Sequence, residues 1–176
     1  TLDERVEYVL KDAFNWTETR SVRKRILTYG GKKANGELKI GFNAGWESAR
    51  LLRGSTTSRD GKQQDVSGPA VNLMDADWAG GAARYPAGKM LVVSLPGVEV
   101  GGTIAYAYER VCTNQPFFAA WESFSGFDPI HSKTVVVDAP ADLVRAETGL
   151  FDGGEMKAVT NATDGRLRAE WSLRAA

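Results

Sequence analysis

The 176-residue chain has one cysteine, Cys112, and one histidine, His131. A single thiol permits no intrachain disulfide and no thiolate zinc site. A single imidazole excludes His-rich metal sites, a haem held by two histidines and any catalysis that needs two imidazoles. Neither sign of charge is in excess, since 22 Lys and Arg balance 22 Asp and Glu. Nucleic acid is therefore not an expected partner, because a phosphate backbone calls for Lys and Arg gathered on one face, as does an anionic bilayer. The nearest basic cluster is Arg20, Arg23, Lys24 and Arg25, followed by Lys32 and Lys33. On an extended strand Arg20 and Lys24 face one way and Arg23 and Arg25 the other, so the cluster reads as a solvated strand. No apolar run approaches the roughly 20 residues of a membrane span, and direct membrane insertion is not expected. The chain opens on Thr1 and stops at Ala176 soon after a strand-like run, so both ends read as processed or cut boundaries.

What is present is globular. Hydrophobic content of 43% and charged content of 25% are average for a folded domain. A chain of this length can bury roughly 70% of its unfolded surface, and 1–176 reads as one domain. Period-two patterns dominate. Val6, Tyr8 and Leu10 alternate with Glu7, Val9 and Lys11, and Leu38, Ile40 and Phe42 alternate again. Residues 16–28 read as a long strand broken by Gly30-Gly31. Strands over 48–58 and 62–66 flank Arg59-Asp60-Gly61, where Asp-Gly is a strong hairpin signal. A second pair, 90–95 and 103–112, is joined by a Pro- and Gly-punctuated connection, with Ile104, Tyr106 and Tyr108 on one face. Further strands are expected over 117–124, 132–138, 143–148, 156–160 and 167–173, with Pro116, Pro129 and Pro140 between them. The pattern predicts an all-β fold: an antiparallel two-sheet β-sandwich of the extended super-sandwich type, with little or no helix. Residues 67–88 have no clean period and read as a long loop, of the kind that is usually functional or laid against the sheet.

The run Pro96-Gly97-Val98-Glu99-Val100-Gly101-Gly102, continuing through Thr103-Ile104-Ala105-Tyr106-Ala107-Tyr108, resembles the signature of a bacterial family. Arg25-Ile26-Leu27-Thr28-Tyr29-Gly30 is similar to that family's strand ending before a glycine turn. Residues 55–62, closing on Asp60-Gly61-Lys62, are similar to its hairpin. The family is the domain of unknown function numbered 3857 (DUF3857), and the resemblance runs from Arg5 to Trp171. It implies a two-sheet β-sandwich lying N-terminal to a transglutaminase-like domain in an exported bacterial protein, periplasmic or extracytoplasmic. It also implies that a papain-like Cys-His-Asp centre falls beyond Ala176, so that none of its catalytic residues maps onto this chain. The expected partner is then the downstream domain of the same polypeptide, with no cofactor and no catalysis in this chain.

Candidate sites are few. Thiol catalysis needs a thiolate held by an imidazolium or a helix N-terminus, whereas Cys112 ends a strand and reads as a small buried residue. His131 reads as a structural imidazole at a loop edge. Asp75 and Asp77 supply two oxygens suited to calcium but lack the EF-hand spacing, and 152–155 reads as a turn. Gly97, Gly101 and Gly102 serve a hairpin rather than a phosphate loop, and Asn161-Ala162-Thr163 is a chance glycosylation match. The aromatic group is more informative: Phe117, Phe118, Trp121, Phe124 and Phe127, with Trp78 and Tyr85 in the long loop. Core packing is the ordinary use of such rings. Phe117 and Trp121 nevertheless point opposite to Phe118 and Phe124 on a strand, so both sets cannot face one core. Trp78, Tyr85 and Trp121 are therefore the candidate binding residues, for the downstream domain or, alternatively, for a glycan, a cell-wall fragment or a peptide.

Overall fold

Alternating apolar residues produce the strands, and the chain folds as an all-β protein in the computed structural model, which describes residues 1–81, 87–115, 117–126, 128–143 and 157–174. Two units emerge, Thr1–Val22 with Val111–Ala176 and Arg23–Arg110.

The first unit carries β1 (Asp3–Leu10), the opening part of β2 (Trp16–Arg25), β9 (Ser132–Pro140), β10 (Lys157–Thr163) and β11 (Arg166–Arg174), in the order β10-β11-β9-β1-β2. The alternation expected of β1 is present: Val6, Tyr8 and Leu10 are buried and pack with Trp16, Val135, Val137 and Ala139. β10, β11 and β9 are antiparallel, but β1 runs parallel to β9, with Val6 opposite Val135 and Tyr8 opposite Val137. The two strands lie far apart in sequence, so a long crossover is available, and side-chain alternation carries no information about strand direction. The strand expected over 117–124 does not form. Residues 117–126 join no sheet and instead send Phe118 and Phe124 onto the core. Pro140 ends β9 opposite Arg166 rather than standing outside the ladder.

The second unit contains β3 (Glu37–Asn43), β4 (Glu47–Thr57), β5 (Gln63–Asp65), β6 (Val71–Asp75), β7 (Gly88–Ser94) and most of β8 (Thr103–Cys112). β8-β4-β5 belong to one sheet and β3-β7-β6 form another. Ile40, Leu91 and Val93 from the second meet Ile104, with Tyr106, Tyr108, Ala49 and Leu51, from the first, and Ile26, Leu95 and Val98 complete the core. This is a sandwich in which the inner faces interdigitate. The Asp-Gly hairpin forms as read, with Gly61 at φ 89° and the Gly61 amide donating to the Ser58 carbonyl at 3.0 Å.

Two elements depart from the expected pattern. The long loop contains β6, paired with β7. Four of its five residues are exposed, so this edge strand has no buried alternation to read. Tyr29–Ala34 forms a short helix, α1, where the Gly30-Gly31 pair reads as a breaker. The Thr28 hydroxyl accepts from the Gly31 amide at 2.9 Å and supplies the N-cap. Among the described residues no helix is long and apolar enough to cross a membrane.

Candidate functional site

On the core face of the first unit, three neighbouring strands place polar residues in line with apolar ones. Glu4 precedes Val6 and Tyr8 on β1, Glu18 and Arg20 follow Trp16 on β2, and Lys133 precedes Val135 on β9. Glu18 is 1% exposed and Lys133 4%. Glu122, from the irregular segment, descends onto them. The Arg20 guanidinium bonds Glu4 at 2.5 Å and Glu18 at 3.2 Å and donates to Glu122 Oε1. Lys133 Nζ donates to Glu122 Oε2 at 2.8 Å, lies 3.5 Å from Glu4, and sits over the Phe124 ring. The Tyr8 hydroxyl donates to Glu122 Oε1 at 2.7 Å. Edge-to-face contacts hold Tyr8 and Trp16 against each other and against Phe118.

Two cations thus serve three carboxylates in a poorly solvated place. Burying such charges is expensive, so their value lies less in stability than in fixing which arrangement is adopted. Here that arrangement seats segment 117–126, because Glu122, its one carboxylate, bonds Tyr8, Arg20 and Lys133 while Phe118 and Phe124 pack on the core of the same unit. Burial alone would push the Glu122 carboxyl up. Arg20, with the hydrogen bonds and charge of Lys133 and the bond from Tyr8, outweighs burial and holds it below the usual carboxylate range. Burial, reinforced by the hydrogen bond to Glu122 and its negative charge, pushes the Tyr8 phenol far above its ordinary value of 10.0.

The raised phenol has a consequence for alkaline stability. The folded chain keeps a proton that the unfolded chain releases above its ordinary value of 10.0. Stability is therefore fully present below that pH and falls above it, by about 1.4 kcal/mol per pH unit for one proton. Urea titrations across this range should show that limb in the wild type and a shallower one in Tyr8→Phe. Equal slopes in the two proteins would refute the assignment.

Trp121 stands beside Glu122 and is 90% exposed, and Phe117 is 61% exposed. The opposite facing of Phe117 and Trp121 against Phe118 and Phe124 is therefore present, though on an irregular segment rather than a strand. Trp78 is 56% exposed, with its ring resting on Gly88, where a Cβ would come within 2.6 Å of it. Trp78 belongs to the second unit and Trp121 to the first. Tyr85, Phe127 and residues 152–155 lie outside the described residues. Cys112 is 1% exposed and its thiol donates to the Gln115 side chain at 3.0 Å. His131 is exposed at the start of β9, its amide donating to the Thr1 carbonyl. Asp75 is paired with Lys89. Among the described residues no group of three His, Cys, Asp or Glu is placed to hold a metal.

The fold and the seated aromatic segment define an all-β domain of a known type. The chain belongs to the family described as Domain of Unknown Function with solved-structure structure (DUF3857), which matches residues 12–176. The fold is similar to that of a "putative protease" from Parabacteroides distasonis ATCC 8503, with a TM-score of 0.82 at 22% identity over 98% of this chain. The chain spans only 34% of that protein's length. A more distant likeness, TM-score 0.43 at 13% identity, is to an M1 zinc metallopeptidase from Deinococcus radiodurans, covering 98% of this chain and 38% of that one. The comparison with curated proteins finds no match.

Proposed function

We propose that this chain is a non-catalytic accessory domain that packs against and positions a transglutaminase-like domain downstream in the same exported polypeptide, with Trp121 and Phe117 as its contact. The observation that carries this reading is the near-complete exposure of Trp121 on a segment whose neighbouring residue, Glu122, is fixed by Tyr8, Arg20 and Lys133. An exposed tryptophan held by a rigid foundation loses little freedom on binding, which is how a few aromatic anchors come to dominate an interface. The Parabacteroides protein, of which this fold makes up about a third, supports a setting in which such a domain works beside others.

The test compares this chain with the polypeptide that runs on into the downstream domain. Trp121→Ala should leave the stability of the chain alone within about 0.5 kcal/mol, as for an exposed side chain. In the longer polypeptide it should weaken the stabilisation that the two parts give each other by about 2 kcal/mol or more, read from thermal unfolding. Two parts that tumble independently, with neither altering the other's stability, would defeat the proposal. A millimolar response of tryptophan fluorescence to a glycan panel, lost in Trp121→Ala, would favour the carbohydrate alternative in its place.

A further inference from the structure

The helix α1 buries none of its residues. It contains Gly30 and Gly31, which cost a helix about 1 kcal/mol each relative to alanine. Packing does not explain it. Local bonds hold it instead: the Thr28 cap, Lys32 N–H to the Thr28 carbonyl at 2.9 Å, and the Asn35 side chain to the Gly31 carbonyl at 2.8 Å. What this turn does is present side chains. Tyr29, Lys32 and Lys33 stand at i, i+3 and i+4 and so share one side of the helix. Leu27 is 69% exposed and Tyr29 77%.

A second turn of the same unit is clipped beside it. The Gly101 amide donates to the Ile26 carbonyl at 2.8 Å and the Ile26 amide to the Gly102 carbonyl at 2.9 Å, while the Leu95 amide reaches Gly36 at 2.9 Å. This brings Val100, 45% exposed, next to the Leu27 end of the helical turn. The charge here is one-sided although the chain as a whole is neutral, for residues 21–36 include five cations and no carboxylate. Among the described residues no carboxylate pairs with Arg25, Lys32 or Lys33. The nearest acids in sequence, Glu18 and Glu37, pair with Arg20 and Lys39, and Glu99 of the second turn accepts from the Arg59 amide.

We infer that this end of the second unit rests on the surface of an anionic phospholipid bilayer. Exposed cations and exposed apolar tips side by side satisfy both layers of such a surface. Arg25, Lys32 and Lys33 face the headgroup charge, Leu27 and Val100 reach the acyl boundary, and Tyr29 sits at headgroup depth with its ring in and its hydroxyl out. This is contact with a surface, not insertion. Its basis is separate from that of the proposed accessory role, and it can fail while that role stands.

Co-sedimentation of the full chain with vesicles tests it, using phosphatidylcholine mixed with phosphatidylserine against phosphatidylcholine alone. Binding should require phosphatidylserine and fall as salt is raised. The partition coefficient should drop by roughly fivefold for each cation removed, about 30-fold for K32Q/K33Q. It should also drop in L27S/Y29S, whose urea midpoint should stay close to wild type because neither side chain is buried. No phosphatidylserine-dependent binding would overturn the inference, as would binding that ignores either pair of substitutions. So would displacement by soluble polyglutamate with L27S/Y29S unaffected, because the patch would then read charge alone.

Discussion

Replacing Arg20 by methionine is expected to lower the free energy of unfolding by about 3–5 kcal/mol, the range found when one member of a buried ion cluster is removed. The arithmetic of the cluster explains the size. Arg20 bonds Glu4, Glu18 and Glu122, so its loss removes a charged partner from three carboxylates at once. The Glu18 side chain is 2% exposed, so water cannot take the place of the guanidinium there. Methionine keeps much of the packing volume, so the loss reports charge rather than a cavity. Urea unfolding near neutral pH measures it, and a change under about 1 kcal/mol would show that the cluster is solvated enough to do without its guanidinium. The pH dependence is a second reading of the same cluster. In the wild type Glu122 is held below its ordinary value of 4.5, so its contribution is present above that pH and is lost as pH falls through the lower folded value. In Arg20→Met burial is no longer outweighed to the same degree, the buried carboxyl takes up a proton more readily, and the gap to wild type should narrow in acid.

The sequence made much of the fold legible because most strands here have one buried face. Val6, Tyr8 and Leu10, and Ile104, Tyr106 and Tyr108, announce their faces by alternation, and Asp60-Gly61 announces its turn. What escaped in the second unit has a common cause. Leu73 and Met74 on β6 are both exposed, as an edge strand allows, and α1 has no buried stripe at all, so neither carries a period. The parallel pairing of β1 with β9 escaped because alternation reports faces and not direction.

The site was half legible. That Trp121 and Phe118 face opposite ways follows from their positions along the chain. That Glu122, next to Trp121, is the anchor does not. One signal was available: Glu4, Glu18, Arg20 and Lys133 all occupy the apolar phase of their strands, where a charge is either an error of register or a buried partner. Only the three-dimensional order β9-β1-β2 shows that they meet. The basic stretch forms the strand expected of it, with Arg23 and Arg25 exposed, but Arg20 is drawn into the ion cluster rather than solvated. Alternation splits Arg23 and Arg25 from Lys24 along β2, but the chain leaves the strand after Arg25, and the turn of α1 puts Lys32 and Lys33 on one side.

In the second unit the largest expected loss is at Ile104. This side chain is 1% exposed and lies where the β8 sheet meets Ile40, Leu91 and Val93 of the other. Truncation to alanine removes three carbons from a place that rigid strands on both sides prevent from closing, and should cost about 2–5 kcal/mol, a transfer loss plus the penalty of the cavity left behind. Ile104→Val removes one carbon, keeps the β-branched shape and should cost about 0.5–1.5 kcal/mol. The ratio between the two is more telling than either value. A core that repacks freely would bring Ile104→Ala down toward the valine figure. Glu109, by contrast, is on the same strand but pairs at the surface with Arg50, whose side chain is 70% exposed. Arg50→Ala should therefore move the urea midpoint hardly at all, as for most exposed ion pairs. If Arg50→Ala proved as damaging as Ile104→Ala, the sandwich core would not be what holds this unit together, and the inward face assigned to Ile104, Tyr106 and Tyr108 would have to be abandoned.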